Sequence, residues 1–500
     1  MNTILFGSLS ILSASLIFIL AFRCFNKLEV NKALFLLIIG GLILRIFCSC
    51  DFYLHAWDER FHALVAKNLI QDPLKPTLYQ IPILEYDYRH WWGNHIWVHK
   101  QPLPLWTLAG SLYLFGINEF ALRLPSILLS SIAILLVFPI AKHYFNSRTG
   151  FLAAFLMAIN GLIIEIAAGR VATDHIDVFF MFFILLSVFF CLKLVKSGKI
   201  IYSIFIGFSV GLAILSKWLP AIIVFPICLL MLIESSDFSK RKIIWSFIIM
   251  LAVGFLVMIP WQWFIYQNYP LEAQWEASFN WKHFSTVLDN REGSSFYFLN
   301  QIRINYGELI YLPLVWFIYK SIKLKGSIKY WVFLIWTTVP LIIFSLAKTK
   351  MQAYILFTAP AYFIMSSAFF DFLLRNSQLN NKSWKVIAIW LLFLILPIRY
   401  SIERIKPFDT KNKKPQWVLD LKALNIETDR KSVLFNYPKP IEAMFYTDLT
   451  VYEKLPSISF LEELKGKSYK IYIYDPGNLE IQFGQLKGIE ILNSQLAISK

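Results

Sequence analysis

The chain has 500 residues, of which 57% are hydrophobic, 17% aromatic and only 16% charged. An average soluble domain carries about 25% charged residues, so this composition excludes an ordinary soluble protein. The apolar residues come in runs of about 17–25, the length that crosses a bilayer, which indicates a polytopic helical membrane protein rather than a β-barrel. The formal charge of +16 does not indicate a nucleic-acid partner, because the basic residues lie at the ends of the apolar runs, where they face membrane lipids.

Twelve apolar runs are predicted to be membrane-spanning helices. They cover residues 4–22, 33–49, 124–143, 150–168, 176–195, 200–216, 219–234, 243–263, 306–322, 330–346, 353–374 and 386–400. No positive charge precedes the first run, as it would in a cleavable secretory signal, so this run is predicted to be a retained span. The sequence thus predicts a transmembrane domain over residues 1–400, with long loops at 50–123 and 264–305.

Lysine and arginine in the short loops set the orientation, because such loops are enriched in positive charge on the cytoplasmic side. Threading the twelve runs puts on one face Arg23, Lys27, Lys32, Lys142, Arg148, Lys196, Lys199, Lys240, Arg241, Lys242, Lys320, Lys323, Lys325, Lys329, Arg375, Lys382 and Lys385. This face is predicted to be cytoplasmic, and the long loops and the tail lie outside the cytoplasmic membrane. A basic stretch at 399–414 runs against this assignment, and a missed span near residue 400 would move the tail to the other side.

The first long loop is rich in tryptophan, with Trp57, Trp91, Trp92, Trp97 and Trp106. Tryptophan suits the headgroup region of a membrane, so we expect short interfacial helices in this loop. One of them is predicted to start at Pro102 and to end near Phe115. A loop of this length in a compact protein is usually functional.

The tail after residue 400 has a different pattern. Residues 433–435, 449–452 and 470–474 have the composition of strands, and residues 416–425 and 458–466 that of short helices. We predict a small α/β domain over residues 401–500. It contains no glycine-rich phosphate-binding motif.

Two adjacent carboxylates, Asp58 and Glu59, follow the second apolar run within the first long loop. Acidic side chains at a membrane boundary are costly and are usually kept for chemistry or transport. A solvated or salt-bridged pair in an external loop would also explain them. Their position just after a span favours a role in catalysis or substrate binding.

Several cations stand on the predicted outer face, against the bias toward the inside. Lys217 lies between two spans, and Lys348 and Lys350 follow the tenth run together with Tyr354. An anionic ligand would explain these positions. Lys100, in the first loop, either marks the headgroup boundary or binds a lipid phosphate as a compact point charge.

Further charges meet at the outer end of the fourth run, where Arg170 and Asp174 are followed by Asp177. Buried charges at a helix junction normally pair, so both a structural ion pair and the wall of a site fit this pattern.

These residues support one type of chemistry. An outward membrane site has no access to sugar nucleotides, so a glycosyl donor there must arrive on a lipid phosphate. Transfer then needs cations for the leaving phosphate and a carboxylate base for an acceptor hydroxyl. Asp58 and Glu59 are candidates for the base or for metal ligands. The candidates for the phosphate are Lys100, Arg123, Arg170, Lys217, Lys348 and Lys350.

The ordered series of motifs resembles the C-type membrane glycosyltransferases (GT-C), specifically the aminoarabinose transferases (ArnT-like) and the protein O-mannosyltransferases (PMT family). The matching pieces are Asp58-Glu59, the stretch Lys100-Gln101-Pro102-Leu103-Pro104-Leu105-Trp106, Phe115-Gly116 with Glu119, Arg123-Leu124-Pro125-Ser126, Arg170 with Asp174, residues 211–217, Pro260-Trp261, and residues 344–350 with Tyr354. They run in order from about residue 50 to residue 365.

The resemblance implies an inverting transfer of a sugar from a polyprenyl phosphate carrier to a lipid, glycan or protein acceptor, on the extracytoplasmic face of the cytoplasmic membrane. It makes Asp58 the main catalytic candidate. It also implies that Lys100, Lys217, Lys350 and Tyr354 line the donor site.

The chain departs from the aminoarabinose enzymes in one motif. Those enzymes have a motif similar to Phe-Glu-Lys-Pro. The glutamate of that motif and a histidine later in the chain lie near a metal. Here His99 stands in place of that glutamate, and His283 lies roughly where that histidine would be. Because a pair of histidines can bind zinc, a divalent metal is the one cofactor that the sequence suggests.

Two other classes of protein remain as alternatives. A transporter or flippase for lipid-linked sugars would tend to show internal repeats and charges near the middle of the bilayer, whereas the charges here gather at one face. A membrane scaffold that presents its tail domain would leave Asp58 and the outward lysines unexplained.

Overall fold

The structure is a computed structural model that describes residues 3–172, 174–235, 238–324, 327–375, 383–424, 431–477, 479 and 488–493. Lys325 and Lys382, which contributed to the predicted orientation, lie outside the described residues. The chain divides into two compact units. The first, termed the helical unit, comprises Met1–Ser49, Lys100–Pro104 and Pro125–Thr410. The second, termed the mixed unit, comprises Cys50–His99, Leu105–Leu124 and Lys411–Lys500.

Helices make up most of the chain. The first ten are α1 (Thr3–Asn26), α2 (Val30–Ser49), α3 (Asp58–Leu69), α4 (Pro102–Phe115), α5 (Glu119–Tyr144), α6 (Ser147–Ile159), α7 (Gly161–Ala167), α8 (Asp174–Ser197), α9 (Ile201–Lys217) and α10 (Val224–Glu234). The next ten are α11 (Lys240–Asn268), α12 (Pro270–Ser285), α13 (Tyr297–Tyr306), α14 (Tyr311–Lys323), α15 (Lys329–Leu346), α16 (Ala359–Arg375), α17 (Ser383–Ile405), α18 (Gln416–Ala423), α19 (Pro440–Tyr446) and α20 (Ile458–Gly466). Short 3-10 turns cover Leu219–Ile223, Glu308–Ile310 and Gln352–Thr358.

The predicted transmembrane bundle is confirmed, with fewer full-length spans than the twelve apolar runs predicted. Within the described ranges, seven helices are long and apolar enough to cross a membrane, or eight if α6 and α7, bent by 47°, form one span. Every predicted run falls on a helix or a helix pair. Several of these helices are short, such as α9 with 17 residues, which rises only about 26 Å against a hydrocarbon core of about 30 Å.

Glycines let α9 and α11 of the helical unit pack closely. A Cβ atom added at Gly207 of α9 would lie 2.5 Å from the carbonyl oxygen of Met250 in α11, and one at Gly211 would lie 2.6 Å from Val257. Small residues of this kind give membrane helices their close contacts, because lipid supplies no hydrophobic drive for association. These contacts fix α9 against α11. Lys217 is the last residue of α9.

The mixed unit contains α3, the α/β elements of the tail and a parallel sheet. Its strands are β1 (Ser432–Phe435), β2 (Thr450–Val451), β3 (Lys470–Asp475) and β4 (Ile489–Asn493), in the order β2-β1-β3-β4. In the register, Val433 pairs with Thr450 on one side and with Ile471 on the other. The predicted α/β tail is therefore confirmed, although α19 and β4 were not predicted. This unit also includes residues 50–99, which the sequence assigned to a loop of the transmembrane domain.

Candidate active site

Asp58 is the first residue of α3, at the end of an extended loop from α2. Its side chain is partly buried. A carboxylate in the first turn of a helix is stabilised by the positive end of the helix dipole. The preceding residue, Trp57, has φ 74°, a backbone conformation that bulky residues rarely adopt. Such a residue persists only where the surroundings hold it, and these positions cluster at functional sites.

Glu59 differs from its neighbour because it is fully buried and engaged by a cation. Its Oε1 accepts a hydrogen bond from Arg123 Nε at 2.7 Å, and its Oε2 accepts one from Arg123 Nη2 at 3.0 Å. Both side chains are 0% exposed. His55 donates its backbone N–H to Glu59 Oε2 at 2.6 Å, and its Nδ1 lies 2.7 Å from the same oxygen. Glu59 thus ties the loop before Asp58 to the first turn of α3.

Arg123 was predicted to bind the donor phosphate, and the structure gives its guanidinium other partners. Besides Glu59, it donates to the carbonyl oxygens of Asp51 and, at 2.8 Å, of Tyr53. A buried arginine surrounded in this way is a neutralised structural cation. The geometry therefore supports a positioning role for Arg123 and Glu59.

In the helical unit, Lys217 forms an ion pair with Asp177 of α8. Its Nζ also lies 4.9 Å from the centroid of the Tyr354 ring, in a cation–π arrangement. The next residue, Trp218, has φ 74°, which repeats the strained backbone of Trp57. The structure therefore brings together two predicted donor-site residues, Lys217 and Tyr354, and adds Asp177 to them.

Lys348 and Lys350 lie on the segment that follows α15, and their environments differ. Lys350 is 4% exposed, and its Nζ donates to the carbonyl oxygens of Ser345 at 2.8 Å and Ala347 at 2.7 Å. Burial, and then the neighbouring Lys348 cation, lower the pKa of Lys350. Lys348 is exposed, and its side chain makes no ion pair within the described residues. Lys350 is therefore held as a cap on the end of α15, whereas Lys348 presents its charge to solvent.

The same segment pairs with the last turn of α12 and with the loop that follows it. Lys348 and Thr349 donate their backbone N–H groups to the carbonyl oxygens of Phe284, at 3.2 Å, and His283, at 3.0 Å. Lys350 donates its backbone N–H to the carbonyl oxygen of Arg291 at 2.8 Å. The loop at 264–305 and the lysine segment are thus one substructure of the helical unit.

The remaining predicted cations have separate environments. Arg170 is partly buried and donates to the carbonyl oxygen of Ile405 at 2.9 Å, at the end of α17. Lys100 is partly buried, and among the described residues its side chain has no carboxylate partner. Asp174 is the first residue of α8, and its side chain lies outside what the structure describes.

The predicted metal ligands do not form a metal site with neighbouring residues. The His99 ring stacks on Trp91, with centroids 4.7 Å apart and planes at 4°. His283 Nδ1 lies 3.0 Å from the carbonyl oxygen of Phe279, one helical turn before it. Over the described part of the chain, no three His, Cys, Asp or Glu side chains come together as ligands for a metal ion. The described residues around His99 and His283 therefore do not fit a bound metal.

The sequence did not predict two residues that orient candidate site residues through hydrogen bonds or ion pairs. His55 was not predicted to contribute to the site, and Asp177 was predicted either to form a structural ion pair or to line a site. Their partners, Glu59 and Lys217, lie in known motifs, so the local sequence did contain a signal. The pairing itself was not visible, because Asp177 and Lys217 are 40 residues apart.

Comparison with known proteins supports the resemblance. Residues 99–264 match the family model for dolichyl-phosphate-mannose-protein mannosyltransferases. The chain is 24% identical over 344 residues to the undecaprenyl phosphate-alpha-4-amino-4-deoxy-L-arabinose arabinosyl transferase of Serratia proteamaculans, which covers 66% of this chain and 58% of that enzyme. It is 28% identical over 169 residues to YkcB of Bacillus subtilis, a candidate mannosyltransferase by name, which covers 34% of this chain and 23% of that protein.

Among solved structures, the chain is similar to ArnT from Cupriavidus metallidurans bound to undecaprenyl phosphate. The TM-score is 0.62 at 15% identity, and the match covers 86% of this chain and 87% of that chain. The chain has the GT-C fold. The resemblance to ArnT-like and PMT-family GT-C proteins is therefore confirmed, and the fold prediction with it. The chain spans less than two thirds of the length of either the Serratia or the Bacillus relative.

Proposed function

We propose that this protein is a membrane glycosyltransferase that moves a sugar from a polyprenyl phosphate carrier to a hydroxyl group of a lipid, glycan or protein acceptor. The ArnT structure, which holds undecaprenyl phosphate, supports this class of carrier. The names of the Serratia and Bacillus relatives support glycosyl transfer as the reaction. The sugar is a hexose or a pentose derivative.

The observation that carries the proposal is the way α3 begins. Asp58 is the first residue of the helix, and the next residue, Glu59, is locked into a buried pair with Arg123. A catalytic carboxylate must be held in place to act on a bound substrate, and residues fixed by packing provide that precision. A solvated pair of loop carboxylates would need neither the buried arginine nor the strained Trp57 backbone.

In the proposed reaction, Asp58 is the general base. Its carboxylate accepts the proton of the acceptor hydroxyl while the oxygen attacks the anomeric carbon of the sugar. The bond from that carbon to the phosphate oxygen breaks, and the polyprenyl phosphate leaves with the electron pair. A single displacement of this type inverts the anomeric centre. Positioned general bases contribute about 10²–10⁴-fold to the rate.

The leaving phosphate requires positive charge, and Lys217 and Lys348 are the candidates to supply it. Asp177 orients the Lys217 ammonium, and Tyr354 packs against it. Lys100 is a further candidate from the segment before α4. Preorganised cations of this kind stabilise charge that develops in the transition state.

We place the protein in the cytoplasmic membrane with Asp58 on the extracytoplasmic face. The distribution of lysine and arginine over the short loops supports this orientation. A lipid-linked sugar donor is also the form of donor that an active site on that face can use, since nucleotide sugars stay in the cytoplasm.

The test is a transfer assay with the purified full chain in liposomes, supplied with polyprenyl phosphate sugars and an extract of surface glycolipids. We expect release of free polyprenyl phosphate in equal amount to the sugar transferred. A transporter or flippase would instead move the donor across the bilayer intact. Translocation without cleavage would therefore overturn the proposal. Mass spectrometry of surface glycans and lipids from a deletion strain identifies the acceptor.

A further inference from the structure

A chain of polar contacts runs from the tail to the start of α3, within the mixed unit. Lys413 Nζ donates to Asp51 Oδ1 at 2.9 Å. The other oxygen of that carboxylate, Oδ2, lies 3.2 Å from His55 Nε2. The opposite ring nitrogen, His55 Nδ1, lies 2.7 Å from Glu59 Oε2. Glu59 is in turn held by Arg123, so five charged or titratable side chains form one network.

The network is fully buried at Glu59 and Arg123, and its exposure rises toward Lys413 in the tail. Glu59 and Arg123 are fully buried, and the side chains of Asp51 and His55 are 9% and 12% exposed. Lys413 is 17% exposed. Buried polar networks of this kind fix one geometry when every member is satisfied, and removing one member leaves an uncompensated charge beside the others.

Lys413 balances the negative charge of the network and also anchors the loop before Asp58. Asp51 and Glu59 contribute two carboxylates around His55, whereas Arg123 contributes one cation. Lys413 is the second cation, and it also anchors the loop through its backbone, because its carbonyl oxygen accepts the N–H of Phe52 at 2.8 Å. Without the ammonium, the excess negative charge would act on the loop that ends at Asp58.

The tail also forms hydrogen bonds with residues further along α3. Arg60 Nη1 donates to Glu442 Oε1 at 3.2 Å. Lys67 Nζ donates to the carbonyl oxygens of Met444 at 2.9 Å and Thr447 at 2.6 Å, at the end of α19. The helix that starts with Asp58 is thus attached to the tail along one side.

We propose that Lys413 is a positioning residue for the transfer reaction, which acts through Asp51, His55 and Glu59 on the carboxylate of Asp58. This inference rests on the proposed function and extends it to the tail: the α/β region is part of the catalytic machinery and not an appended module. Lys413 touches no substrate in this account. Its effect is on the rate of the chemical step and not on donor binding.

The experiment compares Lys413→Met and Lys413→Arg in the full chain, with Lys414→Met as the matched control. Lys414 is the next residue, is exposed, and packs over the Phe52 ring. We expect Lys413→Met to lower kcat about tenfold at an unchanged KM for the donor, and Lys413→Arg to restore most of the rate. Lys414→Met should keep the wild-type kcat. Asp51→Asn, which removes the negative charge of the same link at nearly constant volume, should reproduce the kcat loss if Lys413→Met does not fold.

A readout without turnover completes the test. Hydrogen exchange of the backbone amides of residues 54–62 should be faster in Lys413→Met than in the wild type, and unchanged in Lys414→Met. A folded Lys413→Met with wild-type kcat and wild-type exchange would overturn the inference. A wild-type protein that transfers no sugar would instead overturn the proposed function, so the two failures are distinguishable.

Discussion

Arg123 Nε lies 2.7 Å from Glu59 Oε1, and both side chains are fully buried. The two carboxylates of the Asp58-Glu59 motif therefore have different tasks. Glu59 is neutralised inside the protein and fixes the start of α3, whereas Asp58 is the partly buried residue that begins the helix. In the proposed function, the motif combines one carboxylate for chemistry, Asp58, with one that orients it, Glu59.

Removing either partner of this pair should strongly destabilise the protein. Glu59→Ala or Arg123→Ala leaves an unpaired charge in the interior, which costs about 3–5 kcal/mol. Thermal unfolding of the purified protein measures the loss. Arg89→Ala is the control, because its ion pair with Asp87 is solvent-exposed and its loss should change little. If the double variant loses as much as the sum of the single variants, the two side chains are not coupled.

Lys217→Met should weaken binding of polyprenyl phosphate about 10–100-fold, the range expected for losing a hydrogen bond to a charged group. The structural reason is that Asp177 and Tyr354 hold the ammonium in one place. A titration with polyprenyl phosphate measures the Kd, and Lys217→Arg should keep most of the affinity. Lys199→Met, on an exposed turn after α8, is the control. An unchanged Kd in Lys217→Met would remove this lysine from the donor site.

Substitutions of Lys348 and Lys350 should have different effects. The first should weaken binding of polyprenyl phosphate, and the second should lower the stability of the fold. Lys350→Met leaves two carbonyl groups at the end of α15 without their donor, so it should lower the melting temperature. Lys348→Met removes an exposed charge, so it should raise the Kd for polyprenyl phosphate without changing the melting temperature. The same thermal and titration experiments check both variants. The opposite pattern would contradict the assignment of a cap to Lys350 and a ligand to Lys348.

Ionisation of Tyr446 should lower the stability of the tail at alkaline pH. Burial, and then the Glu119 carboxylate, raise the pKa of its hydroxyl well above the ordinary value. The hydroxyl accepts the N–H of Leu54 at 3.0 Å and donates to Glu119 Oε1 at 2.8 Å. A pKa that is raised in the folded state contributes stability below pH 10, and this contribution is lost as the pH rises above 10, because the unfolded chain gives up its proton first.

The measurement for Tyr446 is the free energy of unfolding between pH 9 and pH 11. The wild type should lose stability more steeply than Tyr446→Phe, by up to about 1.4 kcal/mol per pH unit. Equal slopes would mean that Tyr446 ionises alike in the folded and unfolded states. Tyr86→Phe, on an exposed side chain, should keep the wild-type slope.

The elements that sequence reasoning predicted are those with a local signal. The helix Pro102–Phe115 was predicted to start at Pro102 and to end near Phe115, because a proline suits the first position of a helix. The strand Lys470–Asp475 is rich in isoleucine and tyrosine, which favour strands, and the twelve apolar runs all fall on helices. α19 has only seven residues, too few to show a helical period.

The parts of the site that could not be predicted depend on long-range pairing. Arg123 lies 64 residues from Glu59, and Lys413 lies 362 residues from Asp51. A single sequence shows that a carboxylate and a cation exist, but not that the fold neutralises one with the other. For this reason Glu59 and Arg123 were predicted to act on substrate, whereas in the structure they form a buried ion pair with each other.

In the proposed reaction, Asp58 is the base of a sugar transfer from a polyprenyl phosphate. The most direct measurement is the rate of transfer by Asp58→Asn, in liposomes at saturating donor, beside Glu85→Gln as a control for an exposed acid of the same loop. We predict that Asp58→Asn loses at least about 100-fold in kcat while it still binds polyprenyl phosphate, and that Glu85→Gln is unaffected. Transfer by Asp58→Asn at the wild-type rate would contradict the account.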